Sequence, residues 1–155
     1  MRVFPDFEGP MATWPHLEAM PYAKETLSML RSNWIIALAT NAVDSNENEI
    51  RQALECAELN EFVDQVYCYR RIGHKKPSRV FFEFILIDLG LESQRVFMVG
   101  DNYEEDVLGA NRSGIRAVWF NHRSGEERSG DLHQTIHDLR DLERILQDWN
   151  LGTGG

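Results

Sequence analysis

Three short stretches of this chain hold the residue types that phosphoryl transfer requires. Thr40-Asn41 presents a hydroxyl beside an amide, Lys76-Pro77 a lysine before a proline, and Gly100-Asp101-Asn102-Tyr103-Glu104-Glu105-Asp106 two aspartates in an acid-rich loop. A phosphoryl group in transfer needs hydrogen-bond donors on its oxygens, a fixed cation against its charge, and hard oxygen ligands for a bridging Mg²⁺. Thr40, Asn41 and Lys76 are the candidate phosphate-binding residues. Lys76 and Asp101 are the candidate catalytic residues, and Asp101 with Asp106 the candidate metal ligands. The partner expected of such a site is a small phosphorylated metabolite, with Mg²⁺ as cofactor.

Taken singly, each stretch has a plainer reading. Thr40-Asn41 suits a strand-end turn, Lys75-Lys76 a solvated charge pair, and Asp101 with Asp106 the N-terminal end of a helix. Their placement argues otherwise. Trp34 to Ala39 and Val96 to Val99 are short apolar runs, with a shorter one at Val66-Tyr67-Cys68, and each reads as a strand buried on both faces of a parallel sheet. Helical spacing precedes the first run at Ala23 to Leu30, follows it from Ser45 to Leu59, and recurs after Pro77, where Val80, Phe81, Phe84, Ile85 and Leu89 form an apolar face closed by Gly90. A short helix over Val107 to Ser113, a strand at Ala117 to Phe120 and a last helix with Leu139, Leu142, Ile145, Leu146 and Trp149 on its core stripe complete the alternation. Alternating strand and helix predict an α/β fold: a doubly wound parallel sheet with helices on both faces and ligands beyond the carboxyl ends of the strands. All three stretches fall at such ends.

In that order the stretches resemble the haloacid dehalogenase superfamily, and within it the phosphatase branch. Ile36-Ala37-Leu38-Ala39-Thr40-Asn41 resembles the family's second motif, whose hydroxyl residue hydrogen-bonds the phosphoryl oxygens. Gly73-His74-Lys75-Lys76-Pro77-Ser78 resembles the third, whose lysine stabilises the phosphorylated intermediate. Val96 to Asp101, followed by Asp106, Gly109, Ala110 and Gly114, resembles the fourth, whose first aspartate binds Mg²⁺ and whose second meets the metal, directly or through water, and orients the lysine. The resemblance runs from about Tyr22 to Leu146 and implies Mg²⁺-dependent hydrolysis of a phosphomonoester through an aspartyl-phosphate.

The family's first motif, an apolar strand ending in Asp-x-Asp-x-Thr or Ser, is absent as a string. Its nearest counterpart is Val3-Phe4-Pro5-Asp6-Phe7-Glu8-Gly9-Pro10, which sets Asp6 as nucleophile, Glu8 as acid/base and Pro10 where a hydroxyl belongs. Residues 1–20 therefore read either as this degraded motif or as a cap remnant, residues 21–150 as the core domain and residues 151–155 as a disordered tail. In the family the motif-one strand lies mid-sheet, so its loss predicts a core lacking its central first strand. Either residues near Val3 or a second chain would complete the sheet, or the fold is perturbed. Two further functional readings follow: a catalytically silent fragment or interaction module, and, more weakly, a haloacid dehalogenase. A receiver domain combines similar groups, but its acids precede the Thr and Lys, whereas Asp101 comes last.

Composition narrows the partners. A net charge of −9 over 155 residues opposes binding to nucleic acid. The apolar runs fall far short of the ~20 residues that span a bilayer, and the start lacks the pattern of a secretory signal, so the expected location is cytoplasmic. Cys56 and Cys68 have no metal-knuckle spacing and read as buried inert thiols. His133 and His137, four apart on an expected helix, read as a solvated face rather than a zinc pair.

Overall fold

The computed structural model describes residues 20–152. Helix α1 (Ala23–Leu30) leads into strand β1 (Ala37–Ala39), then α2 (Glu47–Cys56), β2 (Gln65–Tyr67), a single helical turn α3 (Tyr69–Ile72) and α4 (Arg79–Leu89). Strand β3 (Phe97–Gly100) is followed by a wide helical turn over Tyr103–Leu108 that tightens into α5 (Gly109–Asn111), then β4 (Arg116–Phe120), β5 (His133–Ile136) and α6 (Leu142–Gly152). Local chemistry sets several of these limits. Asn46 accepts from the Glu49 amide at 2.9 Å while the Glu49 carboxylate accepts from the Asn46 amide at 3.2 Å, a reciprocal cap that starts α2. Gly90, at φ 66°, ends α4 in the left-handed conformation.

Among the described residues every ladder between named strands is parallel, and a single antiparallel bridge joins Gly130 to His133. β1 lies beside β2 with Leu38 opposite Val66; β3 lies beside β4 with Val99 opposite Val118; β4 lies beside β5 with Trp119 opposite Thr135. Strand alternation divides the core into two layers. Leu38, Val66, Val118 and Phe120 face α1, α2 and α6, whereas Ala39, Tyr67, Met98, Ala117 and Trp119 face α4 and α5. Helices therefore cover both faces, as the alternation predicts. In the second layer Phe81 and Phe82 are both buried on α4, each contributing about 1.5–3 kcal/mol of transfer free energy.

The strands form two sheets, β1–β2 and β3–β4–β5, and among the described residues no ladder joins β1 to β3. Between them opens an apolar cavity of about 110 Å³, lined by Ile36 and Leu38 from the β1 side, Phe97 and Val99 from β3, and Leu142 and Leu146 from α6. This slot lies where the expected central strand belongs.

Four expectations are corrected. His133 lies on β5, not on a helix, because only Ile136 of that strand is buried and its polar residues hide the two-residue period. Cys56 is exposed at the end of α2, while Cys68 alone of the two is buried. On α4 Phe82 is buried and Val80 is 47% exposed, so the apolar face is rotated from the expected stripe. The helix after β3 begins at Tyr103 rather than Val107. Helix α6 runs through Gly152, and residues 1–19 and 153–155, including the Asp6 and Glu8 segment, lie outside the described residues. No helix among the described residues is long and apolar enough to cross a membrane.

Candidate active site

Lys76 is the fixed point of the site. Its side chain is fully buried and its ammonium meets Asp106 Oδ1 at 2.5 Å; the Asp106 side chain is fully buried too. Asp106 Oδ2 accepts from the Asn102 amide at 3.1 Å, so both carboxylate oxygens are engaged. The turn carrying Asp106 packs close because two glycines leave room. A Cβ on Gly100 would overlap the Asp106 carboxylate, and a Cβ on Gly109 would stand 3.0 Å from Pro77 Cα and 2.9 Å from the Phe82 ring.

Asn41 joins the end of β1 to this pair. Its Oδ1 accepts from the Lys76 amide at 2.8 Å, and its Nδ2 donates to the Lys76 carbonyl at 3.0 Å and to Glu105 Oε2 at 3.2 Å. Its side chain therefore positions the lysine loop. Thr40 is buried at the strand end, and its Oγ1 accepts from the Ala42 amide at 3.2 Å, which leaves the hydroxyl hydrogen to donate. One connected set of hydrogen bonds thus ties together segments that lie far apart in the chain.

Asp101 differs from Asp106. Its carbonyl is held by Trp119 Nε1 at 3.0 Å, but its Oδ1 is buried with no hydrogen-bond partner among the described residues. His122 Nε2 and Arg123 Nη2 flank its Oδ2 at 3.7 and 3.8 Å. A buried carboxylate oxygen without a donor is costly unless something cationic meets it, so the donor chemistry of Asp101 fits a hard cation. Among the described residues no cluster of three ligating side chains is present. Asp106, with Lys76 and Asn102 on its two oxygens, would reach the ion only through water.

Several contributors escaped the sequence reading. Glu105 meets Asn41, and Tyr103 meets His133 Nε2 at 3.0 Å, while His133 Nδ1 meets Asn111 Oδ1 at 2.8 Å, bracing the turn against β5. His122 and Arg123 follow directly on β4. Their position beyond a strand's carboxyl end was the available signal.

The profile of the haloacid dehalogenase-like hydrolases matches residues 2–120. The chain belongs to that family. Pyrimidine 5'-nucleotidase YjjG of Escherichia coli (strain K12) is 30% identical over 129 residues, covering 82% of this chain and 56% of its own length. Ribulose-1,5-bisphosphate 5-phosphatase of Halopiger xanaduensis is 32% identical over 139 residues, covering 81% and 57%. The chain thus spans somewhat over half the length of these curated relatives. Among solved structures, an uncharacterized protein from Listeria monocytogenes serotype 4b superposes with a TM-score of 0.80 at 25% identity, covering 92% of this chain and 87% of that one. A phosphatase of the family from Thermococcus onnurineus gives 0.69 at 29% identity, covering 83% and 58%.

Proposed function

We propose that this chain forms the core of a Mg²⁺-dependent phosphomonoester hydrolase that acts on a small metabolite through an aspartyl-phosphate. The observation that carries the reading is the buried Lys76–Asp106 pair, tied through Asn41 to the end of β1 and set five residues from the orphaned Asp101 oxygen. Thr40 would donate its hydroxyl to one phosphoryl oxygen. Lys76 would hold charge on another, kept in place by Asp106. Asp101 would hold Mg²⁺, with Asp106 reached through water; when bound, the ion supplies Lewis-acid neutralisation of phosphate charge. The nucleophile would be a carboxylate, and Asp6, outside the described residues, is the candidate, with Glu8 as acid/base. Names of relatives that act on nucleotides and sugar phosphates support a small phosphorylated substrate.

Hydrolysis of p-nitrophenyl phosphate with Mg²⁺ tests this. The full chain is expected to turn over and Asp6→Asn to abolish it; no turnover in either would sink the reading. The break between β1 and β3 among the described residues motivates a second reading, a silent module whose sheet is completed by a strand from a second chain. Sedimentation separates the two: monomeric, active protein excludes it, and an inactive dimer supports it.

A further inference from the structure

The loop after β4 places the side chains of His122 and Arg123 beside Asp101. Asn121 is buried and its carboxamide is fully committed: Nδ2 donates to Ser124 Oγ and to the Glu126 carbonyl at 2.8 Å each, and Oδ1 accepts from the Arg123 and Ser124 amides at 3.2 Å each. Its amide donates to the Ile136 carbonyl at 2.9 Å, and its carbonyl accepts from His137 Nδ1 at 2.8 Å. This anchoring fixes the backbone that carries His122 and Arg123. The His122 ring rests against Phe120, with centroids 5.2 Å apart, so its direction is set as well.

The two side chains are placed but not consumed. His122 Nε2 and Arg123 Nη2 stand 3.7 and 3.8 Å from Asp101 Oδ2, beyond hydrogen-bond distance, and the Arg123 side chain is 73% exposed. Among the described residues the Arg123 guanidinium pairs with Asp101 alone. By contrast, Arg128 covers the Tyr103 and Trp119 rings and pairs with Glu126, and Arg70 donates to the Val43 carbonyl. A divalent cation at Asp101 would take up the carboxylate's charge and repel the guanidinium. Arg123 would then stand at the rim of the phosphate site with its fork of donors open, a geometry suited to a planar carboxylate or a phosphate.

We infer that His122 and Arg123 form a second anion subsite beside Asp101, so that the substrate class is a phosphate monoester bearing a second anionic group on a short carbon chain. This rests on the phosphatase reading of the same site. Arg123 supplies the charge and His122 a directed ring nitrogen.

Non-hydrolysable ligands test the subsite without turnover. In calorimetry with Mg²⁺ and the full chain, 3-phosphonopropionate is compared with 3-hydroxypropylphosphonate, and 4-phosphonobutyrate with 4-hydroxybutylphosphonate. At least one carboxylate ligand is expected to bind about tenfold more tightly than its neutral partner, the size of one exposed charge-assisted contact. Arg123→Ala is expected to bring that ratio near one, and Arg123→Glu to reverse it, with melting temperatures showing that both variants are folded. A ratio near one in the unmodified chain overturns the inference, as does a ratio that survives both substitutions. Absence of binding by all four ligands overturns the inference alone if p-nitrophenyl phosphate is hydrolysed, and the phosphatase reading with it if it is not.

Discussion

Asp106 and Asp101 stand five residues apart in one loop, yet they occupy opposite physical situations. Asp106 is sealed: no part of its side chain reaches solvent, Lys76 and the Asn102 amide take its oxygens, and Gly100 leaves the space it fills. Asp101 is open: its side chain is 16% exposed, one oxygen has no donor among the described residues, and His122 Nε2 and Arg123 Nη2 stand off at 3.7 and 3.8 Å. The first arrangement is complete without any ligand. The second is completed by an ion in the reading proposed above. That reading separates structural from ligand-dependent charge within one turn, and substitutions at the two should register in different measurements.

The largest effect should come from breaking the sealed pair. Asp106→Ala leaves the Lys76 ammonium buried without its partner and is expected to cost about 3–5 kcal/mol in denaturant unfolding. Replacing both partners, Lys76→Met with Asp106→Leu, should recover most of that loss while leaving the chain inactive, because it removes both buried charges together. A single-variant loss below about 1 kcal/mol would show that water reaches the pair.

Asn41→Ala should come next, at about 1–3 kcal/mol, because the Lys76 amide and carbonyl both lose their partner. Loss of activity should accompany this loss of stability, whereas a phosphate ligand without a structural role would lower activity alone. Asp101→Asn marks the contrast. Its stability without metal should stay within about 1 kcal/mol of the unmodified chain, since no hydrogen bond to its carboxylate is removed. Mg²⁺ at ten times its dissociation constant should stabilise the unmodified chain by about 1.4 kcal/mol and the variant not at all. Binding is expected to be weak, and a magnesium-dependent rise in melting temperature that persists in Asp101→Asn would place the ion elsewhere.

The smallest effect is expected far from the site, at Asp138. Its carboxylate accepts from the Arg140 guanidinium at 2.8 and 3.0 Å and from the Arg140 amide at 2.8 Å, and these bonds hold its pKa below the ordinary carboxylate value. A depressed folded pKa stabilises the fold above the unfolded value of about 3.9 and loses that stabilisation as pH falls through the folded value. Because the pair is largely exposed, Asp138→Ala should cost only about 0.5–1 kcal/mol at neutral pH. That difference should vanish in acid.

The parallel architecture was legible in the sequence because strands buried on both faces read as unbroken apolar runs, as Trp34 to Ala39 and Val96 to Val99 do. The meeting of Lys76 with Asp106 was legible through their order and their position at strand ends. The contacts of Asn41 to the lysine loop were not legible, because a carboxamide's partners depend on which loop approaches it, and Lys76 lies 35 residues away. Strand β5 was hidden by its edge position, where His133, Gln134 and Thr135 stay half-exposed and no apolar alternation survives. The role of Asn121 is invisible in a string of letters, since it lies in the shape of the turn that follows it.

The slot between β1 and β3 also turns the backbone of β1 into a gauge. The Thr40 amide donates to the Tyr67 carbonyl at 3.0 Å, and the Ile36 carbonyl accepts from the Asp64 amide at 2.7 Å, so even-numbered residues direct their peptide groups toward β2. The two-residue period of the strand then aims the Ala37 and Ala39 amides into the slot. Amide hydrogen exchange should read this directly: slow at Leu38 and Thr40 in all circumstances, and slow at Ala37 and Ala39 only while a strand occupies the slot. Four consecutive amides would thus report, residue by residue, whether the sheet is whole.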